Sequence, residues 1–234
     1  MNYSELVTAI ETYTENTFPA TTLADGTTVS STTQINRFIE QAEQRIYNSV
    51  QFPSLRKSVY GTVTALNKYL ACPGDFLAPY SIAVIENYGT ATEKYTYLLN
   101  KDVNFIREAY PNTGTAYSGL PKYYALFGPQ YGNEAELTFI LGPTPDAAYY
   151  AELHYYYYPT SIVTATTTWL GDNFDTVLLY GCLIEAYTYM KGETDMVQLY
   201  EGKYKEALNL AKRLGDGMDR QDAYRSGQFR QAVN

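Results

Sequence analysis

The residues that could do chemistry are few and lie far apart in the sequence. The chain has one histidine, His154, and two cysteines, Cys72 and Cys182. A catalytic or metal-binding histidine works with an orienting partner or further ligands, and the sequence holds no second histidine to share the task. Cys182 lies in the most apolar helical stretch, which indicates a small buried side chain rather than half of a disulfide. We therefore expect no catalytic residue, no metal site and no cofactor.

Short motifs rich in glycine and aspartate do not add a ligand site. Gly171-Asp172-Asn173 and Gly215-Asp216-Gly217 lack the alternating oxygen ligands and terminal glutamate of a calcium loop. We expect the first motif to cap the start of a helix and the second to end one. The sequence also contains no phosphate-binding loop, dinucleotide fingerprint or nucleophile elbow. These observations predict a protein that is not an enzyme.

The C-terminal segment, residues 215–234, carries the clearest binding pattern. Arginines recur there every five residues, and an aromatic residue directly precedes two of them: the set is Arg220, Tyr224, Arg225, Phe229 and Arg230. Arginine and aromatic side chains are common anchors of protein interfaces. A segment that cannot fold alone can become ordered on a partner. The alternative interpretation is a chain terminus with incidental charges.

Composition limits the class of partner. The 234 residues are 45% hydrophobic and carry a formal charge of −8. This charge argues against a nucleic-acid clamp, which needs a basic surface, but it suits a surface that DNA slides past. No apolar run approaches the roughly 20 residues of a membrane-spanning helix, and the N-terminus does not resemble a secretion signal. We expect a soluble protein that is made in a cytoplasm.

Tyrosine is unusually frequent, with 26 tyrosines against nine phenylalanines and one tryptophan. Tyrosine favours strands, so a tyrosine-rich sheet explains most of them. Tyrosine also suits surfaces that become dry on assembly, because its ring is apolar and its tip is polar. The run from Tyr155 to Tyr158 could thus pack inside a sheet, serve assembly, or form an aromatic platform for a sugar.

The elements that must position these residues are helices at both ends of the chain. The pattern predicts a helix from Tyr3 to about Asn16, capped by Asn2 and Glu5, and a second one that begins after Ser31. Near the other end it predicts two more helices. The first, Phe174–Met190, is apolar nearly all round, and the second, Asp195–Leu214, has one apolar side that can cover it.

The middle of the chain predicts strands separated by Gly/Pro turns, together with one short helix from Asp102 to Tyr110. The predicted strands are Ser58–Ala65, Tyr69–Cys72, Tyr80–Ile85, Lys94–Leu99, Tyr123–Phe127, Glu136–Leu141 and Tyr149–Tyr158. We therefore expect an α+β protein with three parts. Residues 1–54 and 169–214 form a four-helix bundle, residues 55–168 an inserted antiparallel β domain, and residues 215–234 an extended C-terminal arm.

The order of elements and six stretches resemble the head-to-tail adaptor (connector) proteins of tailed bacteriophages, especially short-tailed ones. The six stretches are Gln34–Tyr47, Tyr69–Phe76, Pro121–Tyr124, Leu141–Pro145, Tyr155–Pro159 and Trp169–Phe174. The resemblance implies a dodecameric ring beneath the portal protein, with helical bundles side by side around the DNA ejection channel. It implies a β region that faces the tail, a nozzle protein or neighbouring subunits. It also implies that the C-terminal arm binds the portal. This assigns portal binding to the five arginine and aromatic residues of residues 215–234 named above.

The expected function is thus that of a structural virion protein at the head-tail junction. It would join the portal to the tail and let double-stranded DNA pass without binding it specifically. The alternative from a different class is an aromatic-rich β module on a helical stalk, which would recognise a glycan or a host surface.

Overall fold

The chain forms two compact units in the computed structural model, which describes residues 1–112, 114–128 and 137–228. The helical unit comprises Met1–Leu55 and the chain from Tyr158 onward, and the β unit is Arg56–Tyr157. The prediction of a mixed α+β fold is confirmed.

The helices of the described residues are, in chain order, α1 (Tyr3–Thr14), α2 (Ser31–Ser49), α3 (Val103–Ala109), α4 (Ile162–Ala165), α5 (Trp169–Asn173), α6 (Asp175–Met190) and α7 (Thr194–Gln228). The strands are β1 (Thr21–Thr22), β2 (Thr28–Val29), β3 (Arg56–Val63), β4 (Tyr69–Ala71), β5 (Ala78–Glu86), β6 (Lys94–Tyr97), β7 (Leu99–Asn100), β8 (Tyr123–Phe127), β9 (Thr138–Gly142) and β10 (Tyr149–Tyr156).

Helix α6 is the centre of the helical unit, because α1, α2 and α7 all pack against it. Its buried residues occupy almost every face, as the sequence predicted for an apolar helix. Helix α2 approaches it closely: a Cβ added at Gly181 would lie 3.2 Å from the Cβ of Ala42. The small residue at position 181 thus sets how near the two helices can come.

The helix starts are determined by local capping. Asn2 and Glu5 form the predicted capping box on α1, in which each side chain accepts a backbone N–H of the other residue. Helix α2 is capped by Ser30, whose hydroxyl accepts the amide of Thr33 at 3.1 Å. The spacing of Ser31 and Gln34 predicts a second capping box, and this prediction is wrong, because Ser30 is the N-cap and the side-chain amide of Gln34 donates to backbone carbonyl oxygens instead.

The β unit contains two four-stranded sheets, in the orders β3-β10-β5-β6 and β4-β9-β8-β7. The first sheet is antiparallel throughout, and the second has one parallel pair, β7 with β8. The predicted strand Lys94–Leu99 is divided between the two sheets. The chain changes sheet at Leu98, which is buried among the core residues that both sheets contribute. Helix α3 packs on the second sheet through Ile106.

Two local predictions are wrong. Gly171-Asp172-Asn173 lies within α5 instead of capping the following helix, and Phe174 is the residue before α6. Gly215-Asp216-Gly217 does not end the last helix, because α7 continues to Gln228. A glycine inside a helix costs only about 1 kcal/mol relative to alanine, so the good helix formers on both sides can outweigh two of them. Residues 215–228 are therefore helical rather than extended.

Candidate assembly surfaces

The predicted portal-binding residues lie at the end of α7 and beyond it. Arg220, Tyr224 and Arg225 belong to the helix. Phe229 and Arg230 lie outside the described residues. Arg220, Tyr224 and Arg225 therefore lie on one continuous helix that begins at Thr194. At about 1.5 Å per residue, the 35 residues of α7 span roughly 52 Å, about twice the length of α6.

The first half of α7 is anchored on α6. Tyr200, Tyr204, Leu208 and Ala211 are buried. The ring of Tyr200 lies 5.0 Å from that of Tyr187, and burial together with the Tyr187 hydroxyl raises the pKa of Tyr200 to about 12. The base of the long helix is therefore fixed by aromatic packing.

A second apolar strip on α7 has no cover in the described residues. Leu199, Leu210 and Leu214 are 52%, 59% and 41% exposed. Leu210 and Leu214 follow Leu199 by 11 and 15 residues. On a helix of roughly 3.6 residues per turn, these spacings place the three side chains within about 60° around the helix axis, so they share one side. We call these three residues the leucine strip. The exposed ion pair of Lys203 and Glu206 lies between Leu199 and Leu210 on this side. Exposed apolar side chains flanked by polar ones are typical of contact sites for other proteins.

The helical unit also has a cleft of about 370 Å³ between the β1–β2 hairpin and helices α2 and α6. Its apolar lining includes Leu23 and Tyr189, which are 49% and 51% exposed. Phe38 forms the base and contacts the ring of Tyr189 at 5.3 Å. The threonine and glycine content of Thr21–Ser30 predicts a loop, whereas the structure forms this short hairpin there.

Two polar residues of the stretch Gln34–Tyr47 turn out to be buried anchors. The amide of Gln34 donates to the carbonyl oxygens of Phe18, Pro19 and Val29, at 3.4, 3.1 and 3.3 Å. It thereby fastens the segment around the hairpin to α2. Glu43 accepts the backbone amide of Ile162. These residues stabilise the fold, and their role was not found from the sequence.

The stretch Trp169–Phe174 is likewise a packing centre. Trp169, Phe174 and Phe52 form a triangle of rings with centroids 5.1 to 5.5 Å apart. Gly171 is equally constrained: an added Cβ would lie 2.7 Å from the carbonyl oxygen of Met1 and 2.9 Å from Ile162. This motif therefore ties the start of the chain to the segment before α6.

In the β unit, the stretch Tyr69–Phe76 supplies an acid that fixes the core. Asp75 accepts hydrogen bonds from the hydroxyl of Tyr155 at 2.8 Å and from Lys57 at 2.7 Å. The bond from Lys57 is the main reason that the pKa of Asp75 is lowered. Tyr155 is 1% exposed, so the first ring of the tyrosine run packs inward.

The histidine is part of a surface contact. His154 lies in β10 with its Nε2 at 3.6 Å from Glu152. Within residues 1–112, 114–128 and 137–228, no three His, Cys, Asp or Glu side chains come together as a metal site. None of the helices in those ranges is both long enough and apolar enough to cross a membrane.

Comparison with known proteins gives one family. The family model described as SU10 adaptor protein matches residues 1–231 of the chain. A search of the curated proteins finds no match. Since the match covers nearly every residue, including both units and α7, the chain belongs to the SU10 adaptor protein family and is a structural adaptor of a tailed bacteriophage.

Proposed function

We propose that this protein forms the ring that joins the portal to the tail in a short-tailed phage, with twelve subunits around the DNA channel. The family match is the observation that carries this proposal. In it, α1, α2, α6 and α7 act as a four-helix bundle, residues 55–168 as an inserted domain, and the end of the chain as the portal-binding arm.

The leucine strip and the cleft support side-by-side packing of helical units. Both are apolar and exposed, and they are formed by different elements of one unit. A contact between two different surfaces of the same subunit is head-to-tail, and it produces a ring when the rotation between neighbouring subunits closes. We assign the strip and the cleft to the two sides of the subunit contact.

The length of α7 supports the arm. The helix is fixed on α6 by Tyr200 and Ala211 and continues to Gln228. A helix held at its base can carry Arg220, Tyr224 and Arg225 away from the unit as one rod. Phe229 and Arg230 then extend the same binding segment, and the portal is its partner.

The charge supports passage of DNA. A formal charge of −8 disfavours tight contact with phosphates, so a channel lined by this protein would let DNA move. The tail or nozzle protein is the partner on the side opposite the portal.

The experiment is to mix the purified full-length protein with DNA-filled particles that carry the portal but lack the tail, and to image them by electron microscopy. We expect a ring of twelve subunits bound to the portal and the same ring in purified virions. A protein that stays monomeric on such particles and is absent from virions contradicts the proposal.

A further inference from the structure

The outer faces of the two sheets in the β unit are covered in different ways. Helix α3 packs on the second sheet. On the outer face of the first sheet, Ala83 and Ile85 are each 1% exposed. Their cross-strand neighbours are tyrosines: Ile85 pairs with Tyr95 and Tyr150, and Ala83 pairs with Tyr97. On this face, tyrosine rings cover the two apolar residues, whereas a helix covers the second sheet.

These rings remain half exposed themselves. We define the tyrosine face as Tyr60, Tyr88, Tyr95, Tyr97 and Tyr150, which are 52%, 44%, 41%, 61% and 44% exposed. The rings of Tyr88 and Tyr150 stack at 4.2 Å, and Tyr60 lies 6.2 Å from Tyr88. Three of the rings are therefore in mutual contact, and Tyr95 and Tyr97 extend this aromatic surface along β6. Exposed tyrosines of this kind are common in protein interfaces.

Two carboxylates are held among the rings. The hydroxyl of Tyr60 donates to Glu152 at 2.8 Å, and the Glu152 side chain is only 12% exposed. Glu93 accepts the amide of Gly89 at 2.9 Å. Its hydrogen bond with Tyr95 is the main cause that raises the pKa of that tyrosine to about 12. The face thus combines aromatic rings with fixed negative charge.

One end of the same sheet already binds a guanidinium. The Arg56 guanidinium lies over the ring of Tyr80 at 4.9 Å and at 5.8 Å from that of Tyr156. This contact is a cation–π arrangement, which favours arginine because its planar group stacks on rings.

The tyrosine face has no such cation. The strands and turn that form it, all of which the structure describes, hold two lysines, and both are already paired: Lys57 with Asp75 at 2.7 Å and Lys94 with Glu86 at 3.5 Å. The Nε2 of His154 lies 3.6 Å from Glu152. The tyrosine face thus offers rings and carboxylates without a guanidinium of its own. A guanidinium from another protein could stack on these rings as Arg56 stacks on Tyr80.

We propose that the tyrosine face binds an arginine side chain on a segment of another protein, with the guanidinium stacked on the rings and paired with Glu152. Charge complementarity favours this occupant over a sugar. A neutral sugar can stack on the rings and donate its hydroxyls to the carboxylates but leaves their negative charge uncompensated, whereas an arginine stacks, donates and neutralises that charge.

The test uses the purified full-length protein and two synthetic peptides of equal length and charge, one with repeated Gly-Ser-Arg and the other with repeated Gly-Ser-Lys. Binding is measured by calorimetry at several salt concentrations. We expect the arginine peptide to bind about tenfold more tightly than the lysine peptide, because only arginine can stack and pair at once.

Variants separate the contributions of charge and rings. Glu152→Gln, nearly identical in shape, should weaken the arginine peptide about tenfold and reduce its salt dependence. Tyr150→Ser should remove the preference for arginine over lysine. Tyr117→Ser is the matched control, because Tyr117 is 56% exposed and lies outside the face. Circular dichroism confirms that each variant is folded.

Equal binding of the two peptides, or arginine binding that Glu152→Gln leaves unchanged, overturns the proposal. So does a polysaccharide from a glycan panel that binds in a Tyr150-dependent manner while the arginine peptide does not. The measurement needs no portal and no ring, so its result is independent of whether the protein docks on the portal.

Discussion

Glu43 of α2 accepts a hydrogen bond from the backbone amide of Ile162 at 3.0 Å, across 119 positions of sequence. The glutamate is 3% exposed. Burial raises the pKa of Glu43 above its ordinary value, and the bonds from Ser161 and Ile162 offset part of that rise. A buried acid on one helix therefore fixes the first turn of α4, which leads the chain back from the β unit.

The raised pKa of Glu43 predicts a pH-dependent stability. A group whose pKa is higher in the folded state binds its proton more readily there, so its stabilisation is present at low pH and is lost as pH rises through the folded value. We expect Glu43→Gln, which keeps the acceptor oxygen but cannot ionise, to be more stable than the wild type at pH 7. The difference should shrink toward about pH 4, as measured by urea unfolding.

Glu15→Gln is the control for this pair of measurements, because Glu15 is an exposed carboxylate of the same unit and is not among the groups that shift the pKa of Glu43. Glu43→Ala removes the acceptor and should cost about 1–3 kcal/mol, since the Ile162 amide is left without its partner. The same pH slope in Glu43→Gln and wild type would show that Glu43 does not titrate as argued.

The hydroxyl of Tyr204 predicts a stabilising substitution. It is buried and has no hydrogen-bond partner among the described residues. Tyr204→Phe keeps the ring and removes a polar group that gains nothing, so we expect the free energy of unfolding to rise by about 1 kcal/mol. Tyr3→Phe is the matched control in the same unit. It loses a 2.7 Å bond to Asn36 and should be destabilised by a similar amount. Equal effects of the two variants would contradict the prediction.

Gly171 predicts the opposite outcome for another small change. A Cβ at this position would meet the Met1 carbonyl oxygen at 2.7 Å, a backbone atom that cannot rotate away. Gly171→Ala should therefore cost about 1–3 kcal/mol in thermal or denaturant unfolding. Gly202→Ala on α7 meets nothing within 4 Å and should stabilise by up to about 1 kcal/mol through helix propensity. If both substitutions stabilise, the close approach at Gly171 is not a constraint.

The leucine strip predicts a variant that folds but does not assemble. Leu199→Gln with Leu210→Gln should change the stability of the monomer by no more than about 0.5 kcal/mol, because both leucines are exposed. We expect loss of the ring on portal-bearing particles, scored by electron microscopy. The control is Glu201→Gln with Lys205→Gln, an ion pair on the other side of the same helix. Rings that form normally from the leucine variant would remove the strip from the subunit contact.

The end of α7 predicts separate effects on folding and docking. Deleting residues 218–234 should leave the helical unit folded, because the buried residues that anchor α7 on α6, from Tyr200 to Ala211, all precede the deletion. We expect the truncated protein to lose attachment to the portal in a co-sedimentation assay. Arg220→Gln with Arg225→Gln should weaken attachment without abolishing it, since Tyr224, Phe229 and Arg230 remain. Normal docking of the truncated protein would exclude the arm as the portal contact.

Periodicity was enough to predict most of the elements. The apolar positions of α2 and the apolar character of α6 predicted the two helices that form the core of their unit, and alternation with Gly/Pro turns predicted strands such as β5 and β10. These signals work because each helix or strand must bury one face, and the spacing of apolar residues records that face.

The errors occur where tertiary contacts decide the outcome. The β1 and β2 strands have two residues each, which is too short for alternation to show. The division of one predicted strand at Leu98 depends on a core that two sheets share. Glu43 did carry a signal, because it lies four residues after Ile39 and three before Ile46, on the apolar side of α2. A charged residue at such a position indicates a buried partner, but the sequence does not show that the partner is the amide of Ile162.

The pairing of β3 with β10 has a consequence for how the chain folds. Arg56 and Tyr156 are cross-strand partners, so the β unit begins and ends at neighbouring points, with Cα atoms about 5 Å apart. Folding of this unit brings the two ends of a segment of roughly 100 residues together. The two sequence segments of the helical unit are then connected through neighbouring residues, which costs about as little chain entropy as a short turn. We expect the β unit to fold first and the helices to associate afterwards at little further cost in chain entropy.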